Sequence, residues 1–460
     1  MDSTTPKTTV GCHVVAIPFP GRGHVNPMMN LCNLLASKTH KIFITLVVTE
    51  EWLGLIDSDT KFSNIRYASI PNVIPSEIGR AANYTAFYEA AMTKMEVPVN
   101  QLLGQLEPPV TAIITDVELF WAIRIGNCRN IPVALLCTTS ITAFWVQHYF
   151  DSIQDQNFLL DLLEHGGEHE DRIPEISTPN LADLRKCFHG CSRRVIQLIL
   201  EGCLWVPKAQ YLLFNSVYEL EDQVYDTLKA EYSLPIYHIG PAIPFFEFED
   251  NISTSISPNG ADYLEWLDSH PAGSVLYVSL GSFLSVSSEQ MDEIAAGLTS
   301  SGVRFLWVVR GETSWLKKIC GDLGLIVPWC DQLKVLCHSS VGGFWTHCGW
   351  NSTIEAVFAG QPLLTLPIHF DQHSNEKQIV ENWKIGWRVR EKARDENAVS
   401  RKEIAKLVQK FMDQESVEVQ NIRKGAKEIR EICHRAVEKG GSSEKNLDAF
   451  INHVSQDHSS

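Results

Sequence analysis

Two segments of the chain carry side chains able to move a proton. Pro18–Pro27 reads PFPGRGHVNP and links an apolar run to a helical pattern, with His24 between them. Thr111–Asp116 reads TAIITD and ends a second apolar run on a carboxylate, Asp116. A histidine and an aspartate facing one cleft suit general-base chemistry on a hydroxyl. The imidazole takes the proton, while the carboxylate orients the ring and stabilises the imidazolium. Each residue also has a purely structural reading: His24 as part of a tight turn, and Asp116 as a cap for the following helix. A helix N-terminus beside His24 lowers its pKa and Asp116 raises it, and the sequence leaves the winner open.

A third segment, Trp329–Gln372, is suited to holding a phosphate. Gly342-Gly343 and then His347-Cys348-Gly349-Trp350-Asn351-Ser352 lead from a strand into a helix. Such a junction presents backbone N–H groups and the positive end of the helix dipole. Ser352 and Glu355 also have capping-box spacing, so local helix initiation competes with ligand binding. Cys337, His338, His347 and Cys348 cluster without a recognised zinc spacing. Asp57-Ser58-Asp59 is a DxD triplet that could serve a metal-dependent glycosyltransferase of another fold, but it stands alone in a polar stretch. Neither half has GxGxxG at its first strand, which argues against a nicotinamide dehydrogenase.

The elements that must position these residues alternate strand and helix. Val14–Phe19, Ile42–Val48, Ile65–Ile70, Ala112–Thr115 and Val133–Cys137 read as buried parallel strands in the first half. Val275–Leu280, Arg304–Val309, Leu325–Val327, Val341–Phe344 and Leu363–Pro367 repeat the pattern in the second. Asn26-Pro27 reads as the opening of the first helix, with Leu31, Leu34 and Leu35 as its apolar stripe. Ser400 and Glu403 form a capping box before Ile404. Pro241–Ala261 lacks periodicity and reads as a linker. The expected architecture is α/β: an N-terminal domain over 1–240, a linker over 241–261 and a C-terminal domain over 262–460, its last helix packing back on the first domain. Doubly wound parallel sheets bind ligands beyond the C-terminal ends of their strands, so the expected site is the cleft they face.

Composition limits the function classes. The formal net charge of −16 on 460 residues disfavours general nucleic-acid and anionic-membrane binding. No apolar run approaches the ~18 residues of a membrane span, and the polar start MDSTTPKTTV does not read as a secretory signal. Cys12, Cys32, Cys128, Cys137 and Cys203 sit in apolar segments, as buried reduced thiols of a cytoplasmic protein would. Chance then accounts for the sequons at Asn83, Asn251 and Asn351. A monomer is the default oligomeric state.

Trp329–Gln372 closely resembles the 44-residue signature of plant secondary-product UDP-glycosyltransferases, without a gap from the Trp through HCGWNSxxE to the terminal Asp-Gln. GRGHVNP, the aspartate at the strand end and Val278-Ser279-Leu280-Gly281-Ser282 also stand where that family has them. The resemblance implies the GT-B fold, two Rossmann-like domains facing a cleft. It implies that Trp329 stacks on uracil, with further contacts from the Cys330 backbone and Gln332, and that Glu355 accepts the ribose hydroxyls. Ser282, His347, Asn351 and Ser352 would hold the diphosphate, and Trp350, Asp371 and Gln372 the sugar. The terminal Gln fits the family's glucose pattern. One departure is Asp331, where the family usually has Pro. The activity implied is metal-free, inverting transfer from UDP-glucose to a small aromatic or terpenoid hydroxyl, with His24 as base assisted by Asp116. Phe120, Trp121, Phe144, Trp145, His148 and Tyr149 are candidates for the acceptor pocket, although helical spacing makes core packing the stronger reading of the aromatics. A non-catalytic binder of UDP-sugar or of a small metabolite is the alternative; it would not need His24 and Asp116.

Overall fold

The computed structural model describes residues 11–56, 62–148, 160, 185–243, 262–281, 286–311, 313–390 and 399–456. Ser282, Tyr149, the DxD triplet at 57–59 and linker residues 244–261 lie outside them. The chain forms two compact units. One takes residues 1–178, 190–245 and 436–460; the other takes 179–189 and 246–435. The division is therefore not a single cut at the linker. The helix Ser442–Gln456 packs on the last strand of the first unit, with Leu447, Phe450 and Val454 buried there. Residues 185–189, expected within the first domain, belong to the second unit.

The first unit is built on a seven-stranded parallel sheet. Its strands are β1 (Cys12–Ile17), β2 (Ile42–Thr49), β3 (Ile65–Ile70), β4 (Ala112–Asp116), β5 (Val133–Cys137), β6 (Tyr211–Phe214) and β7 (Ile236–His238). Their order is β3-β2-β1-β4-β5-β6-β7. Every residue of β1 is buried. Alternate side chains enter separate cores: Val15 and Ile17 on one face, Cys12, Val14 and Ala16 on the other. A strand covered on both faces needs a continuous apolar run, which is why these strands are legible in the sequence.

The second unit has a six-stranded parallel sheet. Its strands are β8 (Val275–Ser279), β9 (Arg304–Val308), β10 (Gly324–Val327), β11 (Val341–Thr346), β12 (Leu363–Thr365) and β13 (Gly386–Arg388), in the order β10-β9-β8-β11-β12-β13. Each sheet reverses direction of winding once, between β1 and β4 in the first and between β8 and β11 in the second. Chain crossovers diverge at such a point and leave a crevice at the strands' C-terminal ends. His24 and Asp116 follow β1 and end β4; Gly281 and His347 follow β8 and β11.

The first helix departs from the sequence reading. It runs Arg22–Lys38 with Gly21 at its N-cap, so Asn26 is no cap and Pro27 is inside the helix. The Gly21 carbonyl accepts from the N–H groups of His24 at 2.9 Å and Val25 at 2.8 Å, closing the first turn before Asn26 is reached. His24 thereby sits in that first turn. The capping box at Ser400 and Glu403 is present, opening the helix Arg401–Met412. Cys12, Cys32, Cys137 and Cys203 are buried, but Cys128 is exposed, on the outer side of the helix Trp121–Arg129.

Candidate active site

In the first unit, His24 Nδ1 lies 2.8 Å from Asp116 Oδ2. Asp116 is fully buried, while the His24 side chain remains 27% exposed. A carboxylate only accepts, so Nδ1 carries the proton and Nε2 is left with a lone pair. Thr138 Oγ1, 3.1 Å from Nδ1, further fixes the ring, and Phe19 packs against it at 5.0 Å between centroids. Both readings of Asp116 hold at once. Its Oδ1 accepts from the Glu118 N–H at 3.1 Å, closing the turn after β4, while Oδ2 faces His24. Burial pulls the His24 pKa down, but the charge and hydrogen bond of Asp116, with Glu118, outweigh burial and Arg80. The net direction is up.

In the second unit, Trp329 is 51% exposed, as a stacking platform must be. Cys330 is buried, its thiol 3.4 Å from the Tyr277 hydroxyl. Asp331, the departure from the resembled pattern, caps the short helix Gln332–Leu336: its side chain accepts from the Lys334 N–H at 3.2 Å. A capping carboxylate thus replaces proline at that turn. Gln332 accepts from the Tyr277 hydroxyl at 3.1 Å and donates to Ser352 Oγ at 3.0 Å and to Glu355 Oε2 at 2.7 Å. Ser352 and Glu355 form no capping box, because the helix Trp350–Ala359 already begins two residues before Ser352. Instead the Gln332 amide holds both side chains. Burial pushes the Glu355 carboxyl up to about 7, with the Gln332 hydrogen bond opposing and the Asp331 charge assisting.

His347 follows β11, and its ring lies between two glycines. A Cβ on Gly281 would meet the ring at 2.8 Å and one on Gly349 would meet Nε2 at 2.5 Å. Gly281 also has φ +92°, a conformation that side chains rarely adopt. Burial pulls His347 down to about 4, with the Ser279 carbonyl opposing, so it is neutral at physiological pH. Cys348 adopts φ +65° and Gly349 caps the Trp350–Ala359 helix without a side-chain bond. Asn351 and Ser352 lie in its first turn, where the dipole favours an anion. Trp350 is 2% exposed, with its ring against Trp383.

Asp371 and Gln372 open the helix Gln372–Lys377. Gln372 Oε1 accepts from the N–H groups of Ile368 at 2.8 Å and His369 at 3.0 Å. Asn375, missed from sequence, ties this loop to the histidine turn. Its fully buried amide donates to Asp371 Oδ2 at 2.8 Å and to the Cys348 carbonyl at 2.9 Å. Its spacing of four from Asp371 on a helix was the available signal.

The aromatic candidates divide. Phe120, Trp121 and Phe144 are core, and the Trp121 indole donates to the Ala91 carbonyl at 3.1 Å. Trp145 packs against the same core. His148 lines a cavity with Tyr88 and Glu118, two residues that the sequence reading did not single out. Cys337, His338, His347 and Cys348 form no metal-holding group among the described residues, and His338 bonds Ser340 and Asp268. Among the described residues no group of three His, Cys, Asp or Glu is placed to hold a metal ion, and no helix is long and apolar enough to cross a membrane.

The family model for UDP-glucoronosyl and UDP-glucosyl transferase matches residues 228–424. UDP-glycosyltransferase 87A1 of Arabidopsis thaliana is 45% identical over 449 residues, 96% of this chain and 100% of its own length. The chain belongs to the UDP-glycosyltransferase family, in its plant family 1 branch. UDP-glycosyltransferase 87A2 of the same plant is 45% identical over 445 residues, 96% of either chain. Os79 from O. sativa, solved in complex with U2F and trichothecene, matches this glycosyltransferase at 27% identity and a TM-score of 0.80, over 96% of this chain and 100% of that one. Phytolacca americana UGT2, complexed with UDP-2fluoro-glucose and pterostilbene, matches at 27% identity and 0.76, over 96% and 99%. The fold is accordingly GT-B, each Rossmann-like domain carrying one of the parallel sheets.

Proposed function

We propose that this UDP-glycosyltransferase transfers glucose from UDP-glucose, with inversion and without a metal, to a hydroxyl of a small aromatic or terpenoid acceptor. The observation that carries the mechanism is the His24–Asp116 bond at the switch point of the first sheet. His24 Nε2 takes the acceptor proton, Asp116 steadies the imidazolium, and the oxygen attacks the anomeric carbon opposite UDP. The transition state has oxocarbenium character, as in glycoside hydrolysis. Trp329, the Cys330 backbone, Gln332 and Glu355 take the uridine; His347, Asn351, Ser352 and Ser282 the diphosphate; Trp350, Asp371 and Gln372 the sugar. The helix dipole beside His347 offsets the charge that the leaving group gains. The ligands named with Os79 and Phytolacca americana UGT2 support a small, largely apolar acceptor. The protein acts as a cytoplasmic monomer in this reading.

The test is UDP release from a panel of UDP-sugars, with and without a mixed phenolic and terpenoid pool, in EDTA, with His24→Ala alongside. Acceptor-dependent release from UDP-glucose, lost in His24→Ala, supports the proposal. Clear donor binding without turnover on a broad pool favours a non-catalytic binder. Loss of activity in EDTA overturns the metal-free mechanism.

A further inference from the structure

Beside the base, the first unit encloses a small cavity lined by Tyr88, Glu118, His148, Leu198 and Cys203. Its free volume of about 20 Å³ admits one hydroxyl or one water, not a whole acceptor. Glu118 connects it to the chemistry. The Glu118 N–H bonds Asp116 Oδ1, and the Glu118 charge contributes to the raised pKa of His24. Within the cavity, the Tyr88 hydroxyl donates to Glu118 Oε2 at 2.5 Å.

His148 decides what the cavity can recognise. It is 7% exposed and its ring stacks on Phe144 with centroids 3.7 Å apart. Nδ1 lies 2.8 Å from the Phe144 carbonyl. A carbonyl cannot donate, so the proton is on Nδ1. Burial pulls the pKa to about 4, the Phe144 bond only partly opposing, so the ring is neutral at physiological pH. Nε2 is then a bare lone pair. It is buried and has no hydrogen-bond partner among the described residues. A buried acceptor left in that state is costly, and ligands that supply its missing partner gain selectively.

We propose that His148 Nε2 accepts a hydrogen bond from a second hydroxyl of the sugar acceptor, so that neutral diols and polyphenols are preferred and carboxylic acids are disfavoured. This rests on the function proposed above. A hydroxyl donates to Nε2. A methyl ether has no hydrogen to give. A carboxylate meets the Nε2 lone pair and the Glu118 carboxylate; Gln147 offers it at most a neutral amide, and no cation stands among the described residues lining the cavity.

The experiment uses matched acceptors on one aromatic skeleton: monophenol, diols with the second hydroxyl at increasing separation, their methyl ethers, and the corresponding acids. Specificity constants are measured with saturating UDP-glucose for wild type, His148→Phe and His148→Gln. The phenylalanine keeps the stacked ring without the lone pair; the glutamine restores an acceptor oxygen. Wild type should favour its best diol over the matching ether by roughly fivefold to tenfold, the contribution of one neutral hydrogen bond, with the acid slowest. In His148→Phe the ratio should fall to near one, mostly through KM, and His148→Gln should recover part of it. The Tm shift produced by UDP separates misfolding from lost recognition. A wild-type ratio near one, as expected if the cavity holds only a water, or a ratio unchanged in His148→Phe, overturns the inference. Transfer to no acceptor at all overturns the function proposed above instead.

Discussion

Asp116→Asn separates the electrostatic role of this residue from its structural one. The asparagine keeps an oxygen for the Glu118 N–H, so the turn after β4 should persist. What changes is the atom facing His24 Nδ1, 2.8 Å from Oδ2 in the native protein. With the oxygen kept on the Glu118 N–H, the NH2 faces Nδ1 and forces the proton to Nε2, where it blocks base function. A charge-assisted hydrogen bond contributes about 1.5–3 kcal/mol, so losing its support for the imidazolium costs roughly 10- to 150-fold in rate. The wrong tautomer adds to that, for an expected loss in kcat/KM of at least about 10²-fold. The pH profile carries the sharper sign. Burial and Arg80 lower the His24 pKa while Asp116 and Glu118 raise it, with the net upward. A base works in its deprotonated form, so native activity should be lost as pH falls through a value above the usual histidine 6.5. Removing the Asp116 charge removes the main upward contribution, so that acid limb should move to lower pH while the plateau drops. The assay is UDP release with saturating donor across pH, with the UDP-induced Tm shift as a folding control. An acid limb that stays in place or moves upward would refute the account of His24 as the titrating base.

The other expectations concern the donor side. Glu355, raised to about 7, holds its proton longer in the native than in the unfolded chain, so its contribution to stability declines as pH rises from its ordinary 4.5 to about 7, by at most about 3 kcal/mol. Glu355→Gln should flatten that part of a Tm–pH curve, and in wild type the Tm gain from UDP should grow between about pH 6 and about pH 8, as the carboxylate proposed to accept the ribose hydroxyls forms. Gly281→Ala places a Cβ 2.8 Å from the His347 ring at φ +92°, so UDP affinity measured by calorimetry should fall by tenfold or more, at a folding cost of about 1–3 kcal/mol. Asn375→Leu removes both bonds that tie Asp371 to Cys348, so KM for UDP-glucose should rise more than the Kd for UDP, which lacks the sugar. Equal changes in the two would mean that Asn375 merely supports the fold.

The sequence by itself determined the sheet strands with long apolar runs, the family signature, and the two catalytic candidates. Strands buried on both faces must be continuously apolar, and a strand-to-helix turn that meets a ligand must spell its glycines and short polar residues in order. Contacts that are distant in sequence were decided only by the tertiary structure. The apolar pattern does not mark β6, β7 and β13, which are fixed by pairing with their neighbours. Asn26-Pro27 looked like a helix start because it has the right residue types, but the Gly21 carbonyl closes the turn earlier. Ser352 and Glu355 have capping-box spacing, yet the amide of Gln332, twenty residues away from Ser352, holds both. The same holds for the pKa of His24. Opposing effects of burial, Asp116, Glu118 and Arg80 depend on distances through space, and no local spacing encodes their balance. Aromatic residues read alike in a sequence whether they fill a core or line a site. Only packing places Trp121 and Phe144 in the core and leaves His148, its Nε2 buried without a partner among the described residues, lining a cavity.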